Sequence, residues 1–230
     1  MIKTIFFDID DTLVNHKLAN EAAISWAHKA FFPSKDLTEF ISLWKQTSQK
    51  YWQQFEDGLI TIDQQRIKRF QDIWLYFNQD IPEESAFKLY QNFLIHYEEN
   101  WQLFDHASSV LTTLTKRKIP LGIITNGSET QQYKKLTNTG IIDFFTRPLI
   151  VISEALGISK PNPKIFKHAQ KQARVKPTEI LYIGDKIDAD MEIPHQLGWQ
   201  VALIDHHNQY QKTNPFPLLT SLDQVLAIVT

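Results

Sequence analysis

Residues 1–8 (MIKTIFFD) limit most strongly what this chain can become, because a short apolar run stops abruptly at a group of acids. That is the profile of a buried strand with polar chemistry at its carboxyl end. The design recurs at residues 119–125 (IPLGIIT), 179–184 (EILYIG) and 199–204 (WQVALI), and more weakly at 147–152. Each run is rich in branched residues and bounded by Gly, Pro, Asn or Asp. Helical stretches are expected between them at 107–117, 130–138, 163–174 and about 189–197. Alternation of this kind predicts an α/β protein with right-handed crossovers and a parallel sheet covered on both faces.

Residues 16–99 break the alternation. They show helical periodicity, no convincing strand, and many aromatics, among them Trp26, Trp44, Trp52, Trp74, Phe40, Phe55, Phe70 and Phe93. Breaks at Pro33-Ser34, Asp57-Gly58 and Asp80-Ile81-Pro82 divide the interval into about four helices. The expected organisation is a catalytic core of residues 1–15 and 100–230, with a helical bundle of residues 16–99 inserted after the first strand. The aromatics fill that bundle's core, with a minority left to face a substrate.

In a parallel sheet, ligands bind beyond the carboxyl ends of the strands. Four polar features fall there. In Asp8-Ile9-Asp10-Asp11-Thr12, side chains two apart on an extended chain share a face, so Asp8 and Asp10 address one pocket. Two carboxylates so close repel each other unless a cation lies between them or one is protonated. A hard divalent ion resolves this, and magnesium suits a phosphate site. Thr125-Asn126-Gly127 ends the second strong strand with a hydroxyl and a tight turn able to hold a phosphate. Lys160 is presented between Ser159 and Pro161 on a loop stiffened by two prolines. Asp185 and Asp190, in Gly184-Asp185-Lys186-Ile187-Asp188-Ala189-Asp190, supply a second anchor for the cation and an orienting carboxylate. Each feature alone is weak; their order at successive strand ends is not.

The composition excludes several alternatives. With no cysteine there is no disulfide, thiolate metal site or cysteine nucleophile. A net charge of -2 gives no basic field for a nucleic acid polymer. No apolar stretch reaches the roughly 20 residues that span a bilayer, so no membrane partner is expected. The first strand is not preceded by a signal-peptide layout, and a cytoplasmic protein is expected. Oligomeric state is left open. His106, His168 and the His206-His207 pair show no metal-ligand spacing and are expected at the surface or between domains.

The pattern Asp-x-Asp-x-Thr, then Thr, then Lys, then Gly-Asp-x-x-x-x-Asp closely resembles the haloacid dehalogenase superfamily of hydrolases, most of which are phosphatases. It matches at Asp8, Asp10, Thr12, Thr125, Lys160, Asp185 and Asp190. The resemblance implies a Rossmann-like core with a type 1 helical cap. It further implies Asp8 as covalent nucleophile, Asp10 as general acid and base, and Thr125 and Lys160 as holders of the phosphoryl group. Thr12, Thr125, Asn126 and Lys160 would bind substrate, with Arg66 as a cap contact. A Mg2+ cofactor would be held by Asp8, Asp185, Asp190 and Asp10, the last through its backbone carbonyl. The implied substrate is a small phosphorylated metabolite.

Three stretches are similar to the pyrimidine 5'-nucleotidase subgroup: residues 6–13, residues 55–61 with Arg66 and Phe70, and residues 153–161. Arg66 and Arg69, three apart on a helix, are open to two readings, substrate contact or solvated surface. The chain departs from many relatives at Lys186, in place of a small polar residue, and at Ala189, in place of Asn, which implies at most retuned metal binding. Rival readings are a sugar-phosphate or phosphoglycolate phosphatase, a metal-independent 2-haloacid dehalogenase, a phosphomutase, and a non-catalytic binding protein of the same fold.

Overall fold

A computed structural model describes residues 1–210 and 214–229. Strand β1 (Thr4–Phe7) leads into four long helices, α1 (His16–Phe31), α2 (Leu37–Glu56), α3 (Ile62–Tyr76) and α4 (Glu83–Glu99). Strand and helix then alternate through α5 (Ala107–Lys116), β2 (Leu121–Thr125), α6 (Glu129–Asn138), β3 (Ile150–Ile152), α7 (Ser153–Leu156) and α8 (Pro163–Ala173). β4 (Ile180–Gly184), α9 (Glu192–Gln196), β5 (Gln200–Ile204), β6 (Leu218–Leu219) and α10 (Val225–Ile228) complete the chain. It divides into two compact units, Met1–His16 with Gln102–Thr230, and Lys17–Trp101.

In the first unit, six strands form one parallel sheet in the order β3-β2-β1-β4-β5-β6. β1 is central, with Ile5 opposite Leu121 on one side and Leu181 on the other. All four of its residues are buried, as are all those of β2 and β4, which explains why these strands read as unbroken apolar runs. Phe6, Ile124, Phe166, Tyr182 and Trp199 share the core, with the Phe6 and Trp199 rings stacked at 5.7 Å. A side chain on Gly122 would collide with the Phe6 ring and come within 2.7 Å of the Leu149 carbonyl, so β2 can lie beside β1 only with glycine there.

The edges depart from expectation. The weak run at 147–152 keeps only Ile150–Ile152 as strand; Pro148 leaves residues 147–149 in a 3-10 turn. The helix expected at about 189–197 starts instead as a π-helical turn, Ile187–Met191, ahead of α9. Short β6 carries too little pattern to have been read.

The second unit is helical throughout its regular structure. Asp36 caps α2 by accepting from the Glu39 N–H at 2.8 Å. Thr61 and Gln64 form a reciprocal capping box that starts α3, so Thr61 in the 55–61 stretch has a structural task. Trp44, Phe40 and Phe70 are fully enclosed, with Phe93, Trp74, Tyr90 and Tyr97 nearly so. Trp44 stacks on Phe93 at 4.8 Å and meets Phe70 edge-on at 5.2 Å. Burying each such ring contributes on the order of 2 kcal/mol. Phe87 and Tyr76 remain exposed.

Neither arginine of α3 is a freely solvated surface residue. Arg66 pairs with Asp63 at 3.0 Å and lies 4.9 Å over the Tyr90 ring. Arg69 lies over the rings of Trp44, Phe70 and Phe93. Its Nε is buried without a hydrogen bond, and burial lowers its pKa to about 10. No helix among the described residues is long and apolar enough to cross a membrane.

Candidate active site

Asp8 follows β1 directly, its N–H bonded to the Ile183 carbonyl of β4 at 2.9 Å. This pins the residue at the carboxyl end of the central strand. Lys160 Nζ donates to Asp8 Oδ1 at 2.8 Å and to Asp190 Oδ1 at 2.6 Å. All three residues are nearly enclosed, at 5%, 4% and 1% exposure for Asp8, Lys160 and Asp190. The π-helical turn after β4 brings Asp190 back beneath Gly184, where its Oδ2 accepts the Lys186 N–H at 3.1 Å.

Asp185 completes the group. Ligand oxygens of Asp8, Asp185 and Asp190 all lie within 4.8 Å of one another. Lys160 offsets one of these three charges, and Asp185 Oδ1 is buried with no hydrogen-bond partner. Burial, then the charges of Asp190 and Asp8, push the Asp185 pKa well above the carboxylate range. Burial likewise lifts Asp8 to about 6 against the pull of Lys160, with Asp190 and Asp10 adding to the rise. Burial opposes the charge on Lys160, but Asp190 and Asp8 outweigh it and raise its pKa. Excess negative charge, oxygen donors and an unsatisfied carboxylate oxygen together fit a hard divalent cation. Lys186, the departure noted in the sequence, is exposed, and its backbone serves Asp190.

Asp10 stands apart from that trio. Its carboxylate bonds Lys135 through Oδ1 and Gln132 Nε2 through Oδ2, the latter at 3.0 Å, with His16 Nδ1 at 3.8 Å. Burial would raise its pKa, yet Lys135, aided by His16, holds the carboxyl far below its usual range. The cation contact expected of Asp10 is through its backbone carbonyl and does not call on this carboxylate, which is turned to Lys135 and Gln132.

Gln132 also donates to Thr125 Oγ1 at 3.1 Å and lies 3.0 Å from the Asn126 carbonyl. As both Asp10 and that carbonyl accept only, the amide nitrogen must face them. Thr125 Oγ1 accepts from the same amide and donates its own O–H, at 3.4 Å, to the Asn126 carbonyl. Gly127, at φ +136°, makes room; a Cβ there would come within 3.0 Å of Gln132 Nε2.

Asn126, expected to bind substrate, turns its amide to the backbone of Lys160, donating to its carbonyl at 3.0 Å and accepting its N–H at 2.8 Å. It thereby ties the Thr125 turn to the Lys160 loop. Thr12 is also placed differently from expectation. It is fully buried, with no hydrogen bond from its Oγ1, and its carbonyl contacts His206 Nε2 at 3.1 Å. Arg66 belongs to the helical unit, as described above.

Tyr182, Gln132, Lys135 and His16 escaped sequence reasoning. The Tyr182 hydroxyl accepts from Lys160 at 3.0 Å and lies 2.8 Å from Asp190 Oδ1 and 3.0 Å from the Ile124 carbonyl. A tyrosine in a fully buried strand must find polar company, and that was its available signal. For Gln132 and Lys135 the signal was their spacing with Leu136 on α6, where all three are buried. His206 and His207 are both partly buried and both pack within the first unit. His206 stacks on Phe104 at 3.6 Å and His207 Nε2 lies 3.7 Å from Asp11, so both brace the loop after β1.

Residues 2–198 match the family model described as haloacid dehalogenase-like hydrolase. The glyceraldehyde 3-phosphate phosphatase of Methanopyrus kandleri is 29% identical over 94% of this chain and 88% of its own length. The pyrimidine 5'-nucleotidase YjjG of Escherichia coli is 28% identical over 94% and 92% respectively. The crystal structure of the putative HAD-hydrolase YfnB from Bacillus subtilis, bound to magnesium, superposes with a TM-score of 0.83 at 25% identity, covering 99% of this chain and 98% of that one.

Proposed function

This chain belongs to the haloacid dehalogenase-like hydrolases, and we propose that within them it is a Mg2+-dependent phosphomonoesterase with Asp8 as its nucleophile. The observation that carries the reading is the convergence of Asp8, Lys160, Asp185 and Asp190 at the carboxyl ends of β1 and β4. A carbon–halogen hydrolase would need neither Asp10 nor the extra carboxylates.

A carboxylate oxygen of Asp8 attacks phosphorus, and the bond from phosphorus to the substrate oxygen breaks as that oxygen takes a proton from Asp10, which must first gain one from solvent against the pull of Lys135. Water then attacks the aspartyl-phosphate and yields its proton to Asp10, releasing phosphate and restoring Asp8. Thr125 donates its hydroxyl hydrogen to a phosphoryl oxygen, and the Lys160 ammonium offsets the charge that gathers there. Asp8, Asp185 and Asp190 would hold the cation, which when bound supplies charge compensation between nucleophile and phosphate.

The substrate is a small phosphorylated metabolite, with pyrimidine nucleoside 5'-monophosphates as first candidates. The similarity of residues 55–61, Arg66 and Phe70 supports this, as do the relatives named as pyrimidine 5'-nucleotidases. Relatives named as glyceraldehyde 3-phosphate phosphatases make triose phosphates the second class to test. Phosphate release from both classes should require Mg2+ and vanish with EDTA or in Asp8→Asn. Release that persists in either control would refute the mechanism.

A further inference from the structure

Helix α6 holds the proton-transfer carboxylate from two points. Gln132 and Lys135 lie three residues apart, on one face of that helix. Between them they occupy both oxygens of Asp10. Both are enclosed, at 2% and 1% exposure, where a lysine is rarely found unless it is paired. The helix is fixed at its start, since Ser128 accepts the Gln131 N–H at 3.3 Å and Glu154 accepts the Glu129 N–H at 2.8 Å. Gln132 also reaches Thr125, so one amide sets the spacing between the phosphoryl-holding hydroxyl and Asp10.

We propose that Gln132 and Lys135 are positioning residues for Asp10, orienting its carboxylate to take the proton from the water that hydrolyses the aspartyl-phosphate. The inference rests on the phosphatase reading above. Neither residue touches the reacting atoms; both act through Asp10. In the step concerned, a water oxygen bonds to phosphorus, the bond from phosphorus to Asp8 breaks, and the water's proton passes to Asp10.

Hydrolysis of 4-nitrophenyl phosphate separates the two half-reactions, because nitrophenolate leaves without needing a proton. Lys135→Met and Gln132→Met should each release a rapid burst of about one nitrophenolate per active site. Turnover should then be slower than wild type by roughly tenfold or more. Lys135→Arg should recover part of that loss. A burst that shrinks in parallel with turnover, or turnover equal to wild type in both variants, overturns the proposal. Should Lys135→Met not fold, as its melting curve would show, Gln132→Met decides by the same criterion. If wild type itself releases no nitrophenolate in Mg2+, the phosphatase reading fails instead, a result distinct from an active wild type with unaltered variants.

Discussion

Asp190 folds back against Gly184 so closely that a methyl group on Gly184 would lie 2.5 Å from the side-chain Cβ and Cγ of Asp190. The glycine that ends β4 is therefore part of the site's geometry, although it has no group to contribute.

Gly184→Ala should push Asp190 out of reach of Lys160 and Tyr182. Phosphate release should fall about a hundredfold, with an overpacking cost of about 1–3 kcal/mol. Activity assays beside thermal melts check this, and near-normal turnover would show that Asp190 need not stay where it is.

Tyr182→Phe removes one hydroxyl from three partners and strands the Ile124 carbonyl in the core. The expected cost is about 1–3 kcal/mol in urea unfolding, since an orphaned buried acceptor pays its full desolvation. Turnover should drop with it, as Lys160 loses one of its holders.

Asn126→Ala cuts both bonds that hold the Lys160 backbone to the Thr125 turn. Orthovanadate, a mimic of the phosphoryl group in transfer, should inhibit the variant at least about tenfold less well than wild type, and kcat/KM should fall in step. Unchanged inhibition would mean that the loop is held by other means.

Mg2+ should stabilise the folded chain by relieving the repulsion among Asp8, Asp185 and Asp190. At a hundred times its dissociation constant a ligand contributes about 2.7 kcal/mol. The melting temperature should thus rise with Mg2+, and that rise should largely disappear in Asp185→Asn. An equal rise in wild type and variant would place the ion elsewhere.

What was legible in the sequence was what strand ends advertise. Asp8, Thr125 and Asp185 each end or directly follow an apolar run, so a parallel sheet brings them to one end, with Asp190 and Lys160 on the segments that follow β4 and β3. Asp10's side chain was harder. Spacing gave it the same face as Asp8, but its partners came from α6, a helix whose polar composition reads as a solvated surface. Gln132 and Lys135 share a helical face with Leu136, but with a single apolar residue on that face the spacing is a faint signal, and their exposed neighbours Thr130 and Lys134 are equally polar. Asn126 and Thr12 show the opposite limit: the motif marks the position, while the direction of the side chain depends on loops far away in sequence. In the helical unit, helical periodicity and the density of aromatics revealed the aromatic core, but did not reveal that Arg69 would lie among the rings.

The central place of β1 also bears on how the protein is made. Its sheet neighbours begin only at Leu121 and Ile180, so the strand carrying Asp8 leaves the ribosome long before anything can pair with it. The helical unit, whose contacts are closer together along the chain, can organise during that interval and draw the strand's ends together, shortening the loop that must close. A nascent chain truncated before β4 would expose an unpaired apolar strand and would lack Asp185 and Asp190, so premature termination should yield an insoluble product with no partial activity.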